Sequence, residues 1–183
     1  MKVITLFGSS RPKPGSPDYF LAHKVGFHLA RAGFILCNGG YGGTMEAAAK
    51  GAKKAGGRTI GIIFSRQSSH ANPYVDRVEK KKTLLGRLER LVQIADGYLI
   101  FKGGTGTLLE VALILEMTYK KFSPPKPMVF MGDFWKEAVE KARKESRSGS
   151  STPFRTDADG MEDLIQFVRT PQKAAKVLKE KLR

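Results

Sequence analysis

Short apolar runs separated by longer amphipathic stretches dominate the sequence, and this alternation restricts the fold more than any other feature. The runs at 3–7, 34–37, 59–64, 98–101 and 128–131 are apolar at successive positions, as in Ile60-Gly61-Ile62-Ile63-Phe64. Strands buried on both faces have that pattern, whereas half-wetted strands alternate. Between the runs, 19–32, 45–55, 84–94, 108–119 and 135–146 read as amphipathic helices. Such alternation lays parallel strands side by side with helices packed over both faces. The predicted fold is therefore a doubly wound, Rossmann-like α/β sheet. A last edge strand is expected at 164–168, and Pro171 opens a basic terminal helix within 171–183.

The 183 residues suit one α/β domain spanning 1–183, large enough to need no disulfide or metal staple. Residues 147–156, rich in Ser, Gly and Thr, read as a mobile loop within it. Cys37 has no second cysteine to pair with and reads as a small buried hydrophobe, in keeping with a reducing, cytoplasmic setting. His23, His28 and His70 lack metal-ligand spacing, so neither a metal nor any other cofactor is expected. The N-terminal apolar run is too short for a signal peptide, and no run reaches the ~20 residues of a membrane helix. The formal charge of +15 gathers in clusters such as Lys80-Lys81-Lys82. No zinc finger, RRM signature or helix-turn-helix accompanies it, so it reads as a solvated surface that draws in small anions, not as a nucleic-acid interface.

Chemistry enters at the glycine-rich junctions. Asn38-Gly39-Gly40-Tyr41-Gly42-Gly43-Thr44-Met45-Glu46 and Lys102-Gly103-Gly104-Thr105-Gly106-Thr107-Leu108-Leu109-Glu110 each join an apolar run to a helical pattern. Gly8-Ser9-Ser10-Arg11 follows the first run. In a parallel sheet all three loops lie at the carboxyl-end rim, where glycines let backbone N–H groups converge on an anion. Neither long junction has the spacing GxxxxGK[ST] or GxGxxG, which removes the main support for an NTPase or a dinucleotide dehydrogenase and leaves monophosphate binding. Arg11 is either a loop charge or a ligand contact. Glu46 could bond a ribose hydroxyl or simply favour a helix N-terminus. Thr107 and Glu110 also fit a capping box, in which the Thr caps the helix and the Glu reaches back.

Together these residues resemble the Lonely Guy (LOG) family of nucleotide phosphoribohydrolases, whose members often carry the older label "possible lysine decarboxylase". The family signature PGGxGTxxE is matched over Gly103 to Glu110, with Lys102 in place of the leading Pro, and Arg87 stands 23 positions before Glu110 as in the family. Leu88 and Glu89 replace the Arg-Lys pair common there. The resemblance implies hydrolysis of the N-glycosidic bond of a nucleoside 5′-monophosphate, AMP or an N6-substituted AMP, without a cofactor. It implies catalytic roles for Arg87 and Glu110. It further implies a nucleotide site built from Gly8, Ser9 and Ser10, from Gly42, Gly43, Thr44 and Glu46, and from Gly103, Gly104, Thr105, Gly106 and Thr107. A homodimer or higher homo-oligomer is expected, with the apolar 108–119 helix at the contact. The alternative is a non-catalytic sensor or carrier that keeps the pocket. A pyridoxal-dependent decarboxylase has no support, since no residue pattern announces a Schiff-base lysine in a cofactor pocket.

Overall fold

A computed structural model describes residues 1–65, 70–148 and 163–183. Among them seven strands form one fully parallel sheet: β1 (Val3–Phe7), β2 (Ile35–Asn38), β3 (Thr59–Phe64), β4 (Arg77–Lys81), β5 (Gly97–Ile100), β6 (Met128–Met131) and β7 (Ile165–Val168). The helices are α1 (Pro17–Arg31), α2 (Thr44–Lys54), α3 (Leu84–Ile94), α4 (Thr105–Tyr119), α5 (Lys136–Ser148) and α6 (Pro171–Lys181). The strand order β4-β3-β2-β1-β5-β6-β7 reverses direction between β1 and β5. At such a reversal the loops leaving the two strands diverge to opposite faces, which opens a crevice at the carboxyl ends.

Successive side chains of a strand point to opposite faces, and here both faces are filled. Ile4, Leu6, Leu99 and Val129 pack with α1, α2 and α6. On the other face Phe7, Ile100, Met128 and Phe130 pack with α3, α4 and α5. This accounts for the unbroken apolar runs. Cys37 is fully buried in the second layer, and burial pushes its thiol up to about 12, so it behaves as an inert hydrophobe. No described helix is long and apolar enough to cross a membrane.

The structure corrects three expectations. β4, Arg77-Val78-Glu79-Lys80-Lys81, was not anticipated; it is a sheet edge whose charges discourage pairing with another chain. Glu79 is held there by Arg90 of α3 through contacts of 2.7 and 3.0 Å, which lower its carboxyl. α4 starts at Thr105, three residues before the expected 108. The loop expected over 147–156 begins inside α5, which runs through Ser148; its remainder lies outside the described residues.

α1 and α2 cross unusually closely. A Cβ on Gly26 would collide with the Ala48 carbonyl, and one on Gly51 with the His23 carbonyl. Backbone cannot yield as a side chain can. Gly51→Ala is therefore expected to destabilise the protein by about 2–3 kcal/mol, the upper range for overpacking, measured by urea unfolding.

Candidate functional site

Each loop at the β1/β5 reversal is held in place by a hydrogen bond or close contact. Ser9 N–H donates to the Lys102 carbonyl at 3.3 Å, and Thr44 N–H donates to the Ser9 carbonyl at 2.9 Å, so the loops after β1, β2 and β5 are laced together. Gly43, with φ of 66°, sits where a Cβ would strike the Ser10 backbone. Asn38 fixes the turn after β2: its Oδ1 accepts from Gly40 N–H at 2.7 Å and its Nδ2 donates to the Met45 carbonyl at 3.0 Å. A short polar side chain at a strand end commonly closes such a turn.

A cavity of about 290 Å³ opens between these loops. Gly8, Ser9, Ser10 and Arg11 from the loop after β1 line it, as do Gly104, Thr105, Gly106 and Thr107 from the start of α4. Gly39, Tyr41, Arg87 and Glu110 also line it. The Gly104 N-cap of α4 has no side-chain capping bond, and Leu108 N–H is the one that returns to the Gly104 carbonyl, at 2.9 Å. The amides of Thr105, Gly106 and Thr107 thus precede the first amide that donates within the helix, and they provide the positive end of the helix to the cavity.

Because α4 starts early, Thr107 lies within its first turn and Glu110 in its second, so the capping-box reading does not hold. Thr107 is buried, and its side chain fills the space a Cβ on Gly103 would need. The Glu110 carboxylate is half-buried and makes no hydrogen bond or ion pair among the described residues. Burial pushes its carboxyl up to about 7, against the opposing pull of the Arg87 charge. An unpaired acid raised into the neutral range within a cleft is a common mark of a functional group.

Arg87 is brought to the cavity by α3, which starts at the Thr83 cap, where Thr83 Oγ1 accepts from Gly86 N–H at 3.0 Å. Its Nε donates to the Ile62 carbonyl at 2.8 Å, and its guanidinium lies 5.4 Å from the Tyr41 ring centre. Tyr41 is in turn fixed by its hydroxyl, which accepts from Phe64 N–H at 2.8 Å. Gly39 leaves the space that Nη2 of Arg87 occupies. Sequence reasoning gave Tyr41 no role, and gave Gly39 only that of a glycine in an anion-binding loop. Both depend on where a helix some forty residues further along delivers its arginine, which no local pattern announces.

The other predicted residues divide. Gly8, Ser9, Ser10, Gly104, Thr105, Gly106, Thr107, Arg87 and Glu110 converge on the cavity. Thr44 and Gly103 line an adjoining cleft instead. Gly42, Gly43 and Glu46 line neither. Glu46 accepts a 2.8 Å hydrogen bond from the Tyr19 hydroxyl, a role between α2 and α1 that was not foreseen. Lys102, where the LOG signature has Pro, forms a 2.9 Å ion pair with Asp18 of α1.

An "Uncharacterized protein" of Archaeoglobus fulgidus is 34% identical over 116 residues, covering 62% of this chain and 75% of its own length. The pyrimidine/purine nucleotide 5′-monophosphate nucleosidase of Escherichia coli K12 is 33% identical over 107 residues. That stretch covers 54% of this chain and 24% of the nucleosidase, so the chain matches about a quarter of that enzyme. The molybdenum cofactor binding protein of Rippkaea orientalis superposes with a TM-score of 0.77 at 26% identity, covering 100% of this chain and 98% of that one. TM1055 superposes with a TM-score of 0.75 at 21% identity, over 98% of this chain and 99% of the other. The sequence model of the SLOG cluster4 family matches residues 1–154. With the LOG-like motif running from the loop after β5 into the first two turns of α4 and the family match spanning most of the sequence, the chain belongs to the SLOG cluster4 family.

Proposed function

We propose that the protein hydrolyses the N-glycosidic bond of a nucleoside 5′-monophosphate, AMP or an N6-substituted AMP, to free base and ribose 5-phosphate. The observation that carries this reading is the unpaired, half-buried Glu110 carboxylate facing the same cavity as the amides that open α4. Those amides, with Ser9 and Ser10, take the 5′-phosphate. Glu110 then stands at the sugar, where the anomeric carbon gains positive charge as the base departs. Its carboxylate stabilises that charge and accepts a proton from the attacking water. The water oxygen bonds to C1′, the C1′–N bond breaks with its electron pair going to the base, and the base takes up the proton that Glu110 received from the water, which restores the carboxylate. Arg87, fixed by Ile62 and Tyr41, holds the substrate and keeps Glu110 partly ionised. Thr44, Gly42, Gly43 and Glu46 support the loops around this site.

We assign the working form as a homodimer or higher homo-oligomer. Leu84 and Leu85 on α3, and Leu108 and Leu109 on α4, flank the two catalytic residues with apolar side chains 43 to 76% exposed. Burial of such a patch against a second copy is the usual outcome. Light scattering on the purified protein is expected to give a mass at least twice the 20.2 kDa of the chain.

The full-length similarity to a molybdenum cofactor binding protein favours a second reading, in which the same pocket binds a nucleotide as a sensor or carrier without turnover. Chromatographic product analysis on a panel of nucleoside monophosphates separates the two. Equimolar base and ribose 5-phosphate from one or more substrates supports the enzyme. Tight binding with no base released across the panel supports the carrier.

A further inference from the structure

The cavity at Glu110 is not the larger opening at this rim. Beside it lies a cleft of about 570 Å³, reached across Ser9, Arg11 and Gly104, which line both. Of these shared residues, Ser9 is one of the groups to which the proposed function gives the 5′-phosphate, and Gly104 caps the helix whose first amides hold it. A ligand phosphate there would therefore be at a junction, with the sugar on one side and a cleft of roughly twice the volume on the other.

The lining of that cleft identifies what it would take. Arg11 and Lys13 make no ion pair among the described residues, and Lys102 is already neutralised by Asp18. Two uncompensated cations beside a phosphate junction match a second phosphate. Beyond them Phe134 is 60% exposed within the cleft, an unusual position for a phenylalanine. Its ring is held edge-on by Trp135 at 4.9 Å, and the Trp135 indole is anchored by donating to the Phe101 carbonyl at 2.9 Å. A rigid exposed ring offers a stacking surface to a planar group.

Resting on the hydrolase reading above, we propose that the substrate class extends to nucleotides whose 5′-phosphate is itself substituted: nucleoside 5′-diphosphates and their esters. The second phosphate lies between Arg11 and Lys13, and any ring esterified to it stacks on Phe134. The chemistry at C1′ is unchanged. Water adds to C1′, the base departs with the bond pair and a proton, and the pyrophosphate stays intact, so that ADP gives adenine and ribose 5-diphosphate.

Calorimetric titration of AMP, ADP and diadenosine pyrophosphate into the Glu110→Gln protein, at 0.15 M salt, tests this without turnover. ADP is expected to bind at least tenfold more tightly than AMP. Lys13→Gln, at an exposed loop position, should remove most of that advantage while AMP affinity stays within twofold. Phe134→Ser should weaken diadenosine pyrophosphate alone. Equal affinities for AMP and ADP, or a Lys13→Gln change that weakens both alike, would overturn the subsite and leave the monophosphate site standing. Failure of all three ligands to bind would overturn the phosphate site itself, and the subsite with it.

Discussion

Glu110→Gln is expected to lower base release by about a thousandfold, within the range a positioned general base contributes, while leaving nucleotide affinity within a few-fold. The same substitution should make the protein more stable at pH 8. The folded carboxyl titrates near 7, whereas in the unfolded chain it titrates near its ordinary 4.5. Between those values the folded protein holds a proton that the unfolded chain has released, so stability falls as pH rises from about 4.5 to about 7 and stays lower above. Gln carries no charge to desolvate and escapes that loss. Thermal melts should coincide at pH 4 and separate at pH 8, with the variant melting higher. Wild-type kcat/KM should rise with pH through about 7 as the carboxylate forms. A variant that loses activity and stability together at pH 8 would mark Glu110 as a structural residue.

The second large effect is expected at a residue with no reactive group. A Cβ on Gly39 would collide with Nη2 of Arg87 and come within 2.9 Å of the Met45 sulfur. The far end of an arginine moves readily, so Gly39→Ala should leave the urea midpoint nearly unchanged. The guanidinium, however, would be driven off the position set by the Ile62 carbonyl and the Tyr41 ring. A displacement of about 1 Å at such a site reduces turnover by about a hundredfold, and a loss of 30- to 100-fold in kcat/KM is expected. Gly43→Ala should behave oppositely. There the collision is with the Ser10 backbone at a positive φ, and stability is lost first.

Much of this arrangement was legible in the sequence, for physical reasons that also mark where legibility ended. The strands at 3–7, 59–64 and 128–131 and the helix at 84–94 were readable to the residue, because two-sided burial demands unbroken apolar runs and a helix covering a sheet demands an amphipathic stretch. β4 was hidden because an edge strand is free to carry charge; its place depends on pairing with β3 and on the Glu79–Arg90 contact. The early start of α4 was hidden because Thr105-Gly106 has poor helix propensity, which tertiary packing overrides. The signature at Gly103 to Glu110, with Arg87, carried the family resemblance, and the family match agrees with it. Which way each glycine faces was beyond local pattern. Gly104 and Gly39 face the cavity, whereas Gly43 is used for close approach to Ser10.

A crystal structure of the Glu110→Gln protein with AMP tests the central claim most directly. The phosphate is expected on the amides of Thr105, Gly106 and Thr107, with C1′ within about 3.5 Å of the side chain at position 110, the separation of a near-attack arrangement, and Arg87 alongside. A phosphate held elsewhere, with the sugar turned away from Arg87 and position 110, would contradict it.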